Sequence, residues 1–368
     1  MINSKQNKLL NNSISLFIVI VLAFIFNYSN LNSAENTQSK SCDNDLIFLS
    51  DTIIIFAPHP DDETLGFGGI IYEALQLGKI VKVIIVTNGD GCLNFAYFWK
   101  NGCPKGEPYC TGEDITNNEI ENFGLTRIQE SKNALSLLGL QLQDLEEFAY
   151  PDGKLNEMYY FPNNIVKGNT NRAFSYTSKQ FSGNNLKEDI KAILRKYPTA
   201  IIFTTHILDG HNDHSALAKF IELARSELYS EKLSFVTFWS IIHEPGAGND
   251  NSWPPTSFNW KPQLGQMQKQ REQRYKPDWE LTPPSSMTEK PLFFCMPEIL
   301  WSNPSNNTPL LRKAIDSYKT QIGLIRMDGS LPFLDYLGWI DKNGYQIGFV
   351  KKNHLLWKAP ITYNNINK

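Results

Sequence analysis

The sequence predicts an α/β fold built on a mostly parallel sheet with helices on both faces. Short apolar runs of strand length recur at residues 53–57, 81–87, 200–204 and 235–241, and unbroken apolarity is what a strand covered on both faces requires. Segments with helical spacing lie between or beside them, at 64–77, 126–138, 186–197 and 215–229. Strand–helix–strand alternation of this kind gives parallel crossovers. A C-terminal stretch, 244–310, is rich in Pro, Asn, Ser and Trp and reads as irregular cover added to that sheet.

In order along the 368 residues, the chain opens with Lys5 and Lys8 ahead of an apolar run at 14–26. That run is short for a membrane span and suits the core of a signal peptide. Residues 1–34 are therefore expected to direct export, to a periplasmic or secreted location, with no stable span left after processing. No lipobox precedes Cys42. Residues 35–50 read as a polar linker, 51–243 as the core, and 244–368 as an extension completing the same domain.

The first strand runs into His59-Pro60-Asp61-Asp62-Glu63, and Gly78 stops the helix that follows. Gly66-Phe67-Gly68-Gly69 does not make a dinucleotide loop, because Ile71 stands where the last glycine of GxGxxG belongs. Close packing of the helix is the expected use of these glycines.

Residues 88–123 form an insertion that holds Cys92, Cys103 and Cys110, three of the five cysteines. It contains no CxxC, so a local disulfide is expected rather than a zinc ribbon. Cys42 and Cys295 could pair with members of that set. Arg127 opens the next helix, and a third strand ends at Asp152-Gly153. Residues 155–185 read as a polar and aromatic loop, 316–325 as a helix, and 333–350 as a hairpin turning at Lys342-Asn343-Gly344.

Net charge is −3, with 41% apolar and 20% charged residues. That composition is ordinary for a globular protein and leaves no basic footprint for nucleic acid.

Chemistry concentrates at two strand ends. His59, Asp61 and Asp62 follow the first strand, and His206, Asp209, His211, Asp213 and His214 follow the fourth. Open α/β sheets place ligands at the carboxyl ends of their strands. Capping of a helix start would account for one aspartate. A metal and base site would account for both clusters, with His206 and Asp209 left out of it, since imidazole and carboxylate are zinc ligands and a further carboxylate can take a proton. His211 and His214 are three apart and share a face once a helix begins there.

HPDDE after a first strand, with HxDH ahead of a later helix, resembles the LmbE/PIG-L family of zinc-dependent de-N-acetylases. Arg127-Ile-Gln-Glu130 with Ala134 and Leu138-Gly139 is similar to that family's second helix. Tyr150-Pro-Asp-Gly153 is similar to its strand-end PDG, Lys313-Ala-Ile315 with Tyr318 and Thr320-Gln321 to a late helix, and Phe349, Asn353 and Trp357 to a closing segment.

The resemblance implies a three-layer Rossmann-like fold and one Zn²⁺ held by His59, Asp62 and His214. It implies Asp61 as general base, and His211 as the group that stabilises the oxyanion or protonates the leaving amine, its ring oriented by Asp213. Glu63 would brace the loop. Arg127 and Asp152 would contact substrate; pairing with Glu130 and capping of a turn are their structural alternatives. The substrate would be an N-acetylglucosamine-type sugar or glycoconjugate. The alternatives are a zinc amidase of the same fold acting on a non-sugar amide, and a carbohydrate-binding protein without catalysis.

Export makes a direct prediction: the mature protein should lack about the first 34 residues. An intact mass that still includes Met1, in cytosolic protein, would refute it.

Overall fold

The computed structural model describes residues 42–91, 115–168, 180–243, 287–302, 308–322 and 350–360, with positions 93, 96, 99, 100 and 283. Among the described residues, seven strands form the sheet, in the order β3-β2-β1-β4-β5-β7-β6. Five are the parallel strands expected: β1 (Thr52–Ala57), β2 (Ile80–Thr87), β3 (Leu145–Tyr150), β4 (Ile201–Thr205) and β5 (Val236–Ser240). β1 pairs with β2 on one side and β4 on the other, β2 with β3, and β4 with β5, all parallel. Order reverses about β1, the switch point where doubly wound sheets open a crevice.

Alternate residues of the central strands feed two separate cores. Ile53, Ile55, Val83, Ile85 and Phe203 pack on one face, and Ile54, Phe56, Ile84, Val86 and Ile202 on the other. The first face is covered by α1 (Asp62–Gln76) and α2 (Asn117–Leu137). The second is covered by α3 (Leu155–Tyr160), α4 (Gly183–Lys196) and α5 (Asn212–Tyr229). The three layers thus follow from strand periodicity, because neighbouring side chains must find opposite covers.

Several boundaries differ from the sequence reading. α2 begins at Asn117, inside the expected insertion, because Thr116 and Glu119 form a reciprocal capping box. α3 interrupts the expected 155–185 loop. Residues Asn44–Leu49, read as the end of a linker, form a 3₁₀ helix whose Leu46 and Ile47 are buried in the core. The expected 316–325 helix is instead α7 (Leu310–Ile315) and α8 (Lys319–Ile322), divided by a turn.

The stretch read as cover also supplies β6 (Leu292–Cys295) and α6 (Glu298–Trp301). β7 (Asn353–Lys358) enters the sheet antiparallel to both β5 and β6. The 333–350 hairpin lies outside the described residues except for Val350, as do residues 1–34. Among the described residues, no helix is long and apolar enough to cross a membrane.

The glycines of α1 pack closely, as expected. A Cβ on Gly66, Gly68 or Gly69 would meet Ile242, Leu311 or Met296 within 2.8 Å. α1 therefore lies against the end of β5, α7 and the β6 region. Cys42 and Cys295 are bonded to each other, not to members of the insertion; Cys92, Cys103 and Cys110 lie outside the described residues. The bond tethers the 3₁₀ helix to β6, where Asn44 also accepts from the Cys295 N–H and donates to its carbonyl.

Because the bond closes a separation of 253 residues, removing it by Cys42→Ser with Cys295→Ser should lower stability by about 4 kcal/mol. Urea unfolding measures this, and an unchanged midpoint would contradict it.

Candidate metal centre and active site

The carboxyl ends of β1, β3, β4 and β5 share one rim, and the ionisable residues that follow them meet there. His59 stands in the turn after β1. Its Nδ1 lies 3.2 Å from Asp62 Oδ2 and 3.1 Å from His214 Nε2. His214 Nε2 is in turn 3.1 Å from Asp62 Oδ2. Three donor atoms thus form a nearly equilateral triangle among buried residues. Tetrahedral zinc with ligands at about 2.0–2.1 Å would set such donors about 3.3 Å apart. The residues fit a divalent metal, and the expected ligand set His59, Asp62 and His214 is brought together.

Each imidazole is backed by a carboxylate. Behind His59, Nε2 lies 2.9 Å from Asp152 Oδ1 and 3.5 Å from Asp213 Oδ2. Behind His214, Nδ1 lies 3.3 Å from Asp209 Oδ1. Carboxylates in this position fix ring orientation and raise ligand basicity. The electrostatics agree. Burial pulls His214 down, but Asp62 and Asp209 win and raise it to about 9. Burial also opposes charge on His59, yet Asp152 raises it well above its ordinary value. Burial pushes Asp62 up, and His214 and His59 hold it well below the usual carboxylate range. Protons held on such donors are what a metal ion displaces.

Asp61 is buried beside the triangle with φ +117°, a region that non-glycine residues seldom occupy. Strain of this kind costs of the order of 1–3 kcal/mol and clusters at functional sites. Its N–H donates to Glu63 Oε2 at 3.0 Å, so Glu63 braces the loop as expected. Burial pushes the Asp61 carboxyl up to about 7, against the pull of Arg127.

His211 caps α5. Its Nδ1 accepts from the Asp213 N–H at 3.3 Å, which places the proton of the neutral ring on Nε2. Burial, with His59, His214 and His243 nearby, pushes it down to about 2. The ring lies 4.8 Å from that of His59 and 4.7 Å from that of His214, centroid to centroid.

Three of the expected site residues have partners within the protein. Asp213 does not orient the His211 ring through its side chain. Its two oxygens accept from the Gly153 and Leu155 N–H groups, so it pins the PDG turn. Asp152, expected to contact substrate, holds His59 and accepts from the Gly91 N–H at 2.6 Å. Arg127, expected to face substrate or to pair with Glu130, donates to the Gly89 and Pro60 carbonyls at 2.7 and 2.8 Å and lies 3.5 Å from Asp61 Oδ2. Glu130 accepts instead from Thr320. In each case burial turned a polar group toward the loop backbone that needed a partner.

Two residues of the site were missed. Asp209 is buried. Besides facing His214, it accepts from the N–H groups of His211, Ile242 and His243, so it joins the ends of β4 and β5. His243, just past β5, sets its ring 4.9 Å from that of His214. Its place at a third strand end was the available signal. His206 is built into the structure, with its ring edge-on to Trp239 and Trp357.

Sequence comparison matches residues 54–224 to the family model described as PIG-L, GlcNAc-PI de-N-acetylase. Among curated relatives, the segment is similar to the 1D-myo-inositol 2-acetamido-2-deoxy-alpha-D-glucopyranoside deacetylase of Corynebacterium diphtheriae. The two are 34% identical over 83 residues, 23% of this chain and 24% of that protein. The chain thus matches about a quarter of that relative's length.

Among solved structures, the chain is similar to the A40926 pseudoaglycone deacetylase, with 16% identity and TM-score 0.44 over 84% of this chain and 98% of that one. The N,N'-diacetylchitobiose deacetylase of Pyrococcus horikoshii follows at 15% identity and TM-score 0.40, over 89% and 95%. A 4-carboxy-2-hydroxymuconate hydratase from Pseudomonas putida is similar at 16% identity and TM-score 0.35, over 53% and 65%.

The donor triangle gives a test of the carboxylates behind the imidazoles. Asp209→Asn should weaken metal binding by roughly 10- to 100-fold, whereas His214→Ala should abolish stoichiometric binding. Competition titration with a chelator measures both, and full affinity in Asp209→Asn would remove its assigned role.

Proposed function

We propose that this protein is a zinc-dependent hydrolase that removes the acetyl group from an N-acetylated amino sugar, releasing acetate and a free amine. The observation that carries the reading is the donor triangle of His59, Asp62 and His214 beside the buried carboxylate of Asp61, whose backbone is strained. Zinc held by those three residues would supply Lewis acidity, which acidifies water and polarises an amide carbonyl.

The residues of the chain do the rest. Asp61 takes the proton of the attacking water, for which a carboxyl raised to about 7 is suited near neutral pH. His211, neutral with its proton on Nε2, donates to the oxyanion as the acyl carbon becomes tetrahedral. When the C–N bond breaks, the departing amine takes the proton that Asp61 received from the water, which returns Asp61 to its ionised form. Asp152 and Asp209 hold the ligand rings and Arg127 holds the loop carbonyls, which keeps these atoms in place through the cycle.

The PIG-L match and the acetamido sugar named for the curated relative support an amino sugar as substrate. Arg127 and Asp152 are engaged within the protein, so this reading does not use them to grip the sugar. The Lys-flanked apolar run supports export, and a structural disulfide suits an oxidising compartment.

Zinc content and acetate release, measured together, test the assignments. Asp61→Asn should keep zinc and lose turnover by a factor on the order of 10² to 10⁴. His211→Ala should behave alike, while Asp62→Asn should lose metal first and recover partly in excess zinc. Full turnover in Asp61→Asn would end the general-base assignment. Acetate released from non-sugar amides alone, across free, lipid-linked and polymeric N-acetyl sugars, would end the substrate class.

A further inference from the structure

The strained backbone of Asp61 is held by a side chain, and that side chain is held from far away in sequence. Glu63 is fully buried. One carboxylate oxygen accepts the Asp61 N–H at 3.0 Å, and the other accepts the hydroxyl of Tyr318 at 2.6 Å. Tyr318 lies in the turn between α7 and α8, 255 residues from Glu63. Its oxygen is also 2.6 Å from Thr64 Oγ1. With the phenol proton committed to the carboxylate, the Thr64 hydroxyl is the donor of that second bond.

The same C-terminal segment reaches Asp61 from the other side. The N–H and hydroxyl of Thr320 both donate to Glu130, one turn beyond Arg127 on α2. Arg127 holds the carbonyl of Pro60 and lies 3.5 Å from the Asp61 carboxylate. The metal donors rely on other supports, since His59 and His214 are backed by Asp152 and Asp209.

We propose that Tyr318 is a positioning residue for the general base: through Glu63 it fixes the Asp61 backbone in its positive-φ conformation and so aims the carboxylate. The proposal rests on Asp61 being the base of the reaction proposed above. It assigns to the segment after α7 a role in turnover that is separate from metal binding.

The experiment uses the full zinc-loaded chain with Tyr318→Phe, Glu63→Gln and Asp61→Asn, singly and with Tyr318→Phe combined with Asp61→Asn. Tyr318→Phe keeps the ring and removes only the hydroxyl. It should lower kcat roughly tenfold, the scale of a lost hydrogen bond to a buried carboxylate, with KM and zinc content unchanged within about twofold. In the Asp61→Asn background the same substitution should have no further effect, because residues acting through one group are not additive. A role confined to packing would multiply the two losses.

A second readout needs no turnover. Amide hydrogen exchange over residues 58–64 of the metal-free protein should quicken in both Tyr318→Phe and Glu63→Gln, since each loosens the partner of the Asp61 N–H. Unchanged exchange, unchanged kcat or multiplicative losses would each overturn the proposal. Wild-type protein that releases no acetate, together with faster exchange in the variants, would sink the proposed reaction while leaving the backbone clamp standing.

Discussion

Three donor atoms, two imidazole nitrogens and one carboxylate oxygen, are buried within 3.2 Å of one another, and the rim of the sheet is arranged around that crowding. Buried ionisable groups need partners. Each imidazole here has a carboxylate behind it, supplied by the end of a different strand. Asp152 comes from the end of β3 and Asp209 from the end of β4, and Asp209 is tied by two backbone N–H groups to the end of β5. Parallel pairing is what makes this possible, because only parallel strands deliver successive carboxyl ends to one side.

The helices that follow those strands complete the arrangement. α1 starts with Asp62, one of the three clustered donors, and α5 carries another, His214, in its first turn. A helix start fixes such a side chain on a rigid element, which a free loop would not do. Close approach of α1 to the end of β5, α7 and the β6 region, allowed by Gly66, Gly68 and Gly69, brings the C-terminal segment within reach of the Asp61 loop. The site thus depends on a part of the chain that contributes none of the metal donors.

Much of this was legible before any coordinates. Four of the five parallel strands stood out because strands covered on both faces must be apolar throughout, and the candidate metal donors stood out because ionisable residues directly after such strands need a reason. Partner choice was not legible. Arg127 and Asp152 carried the right chemistry for a substrate contact, but they turn inward because the carbonyls of Gly89 and Pro60 and the ring of His59 are nearer. That proximity belongs to the tertiary structure. Asp209 was passed over for the same reason: its four partners come from two loops that are neighbours only in the sheet. β6 and β7 were missed because each is short and pairs across a long stretch of chain.

β7 bears on how the molecule is assembled. It is the last of the described strands in sequence, yet it lies between β5 and β6. Among the described strands β6 reaches the sheet only through it, so during synthesis that edge stays open until residue 358 has emerged. Until then, the free side of β5 presents unpaired backbone groups to solvent, the condition under which chains associate wrongly. Loss of a few residues there would remove an inner strand and detach everything built on β6. The end of the described chain is therefore a late-closing seam, and folding yield should be more sensitive there than at any exposed loop.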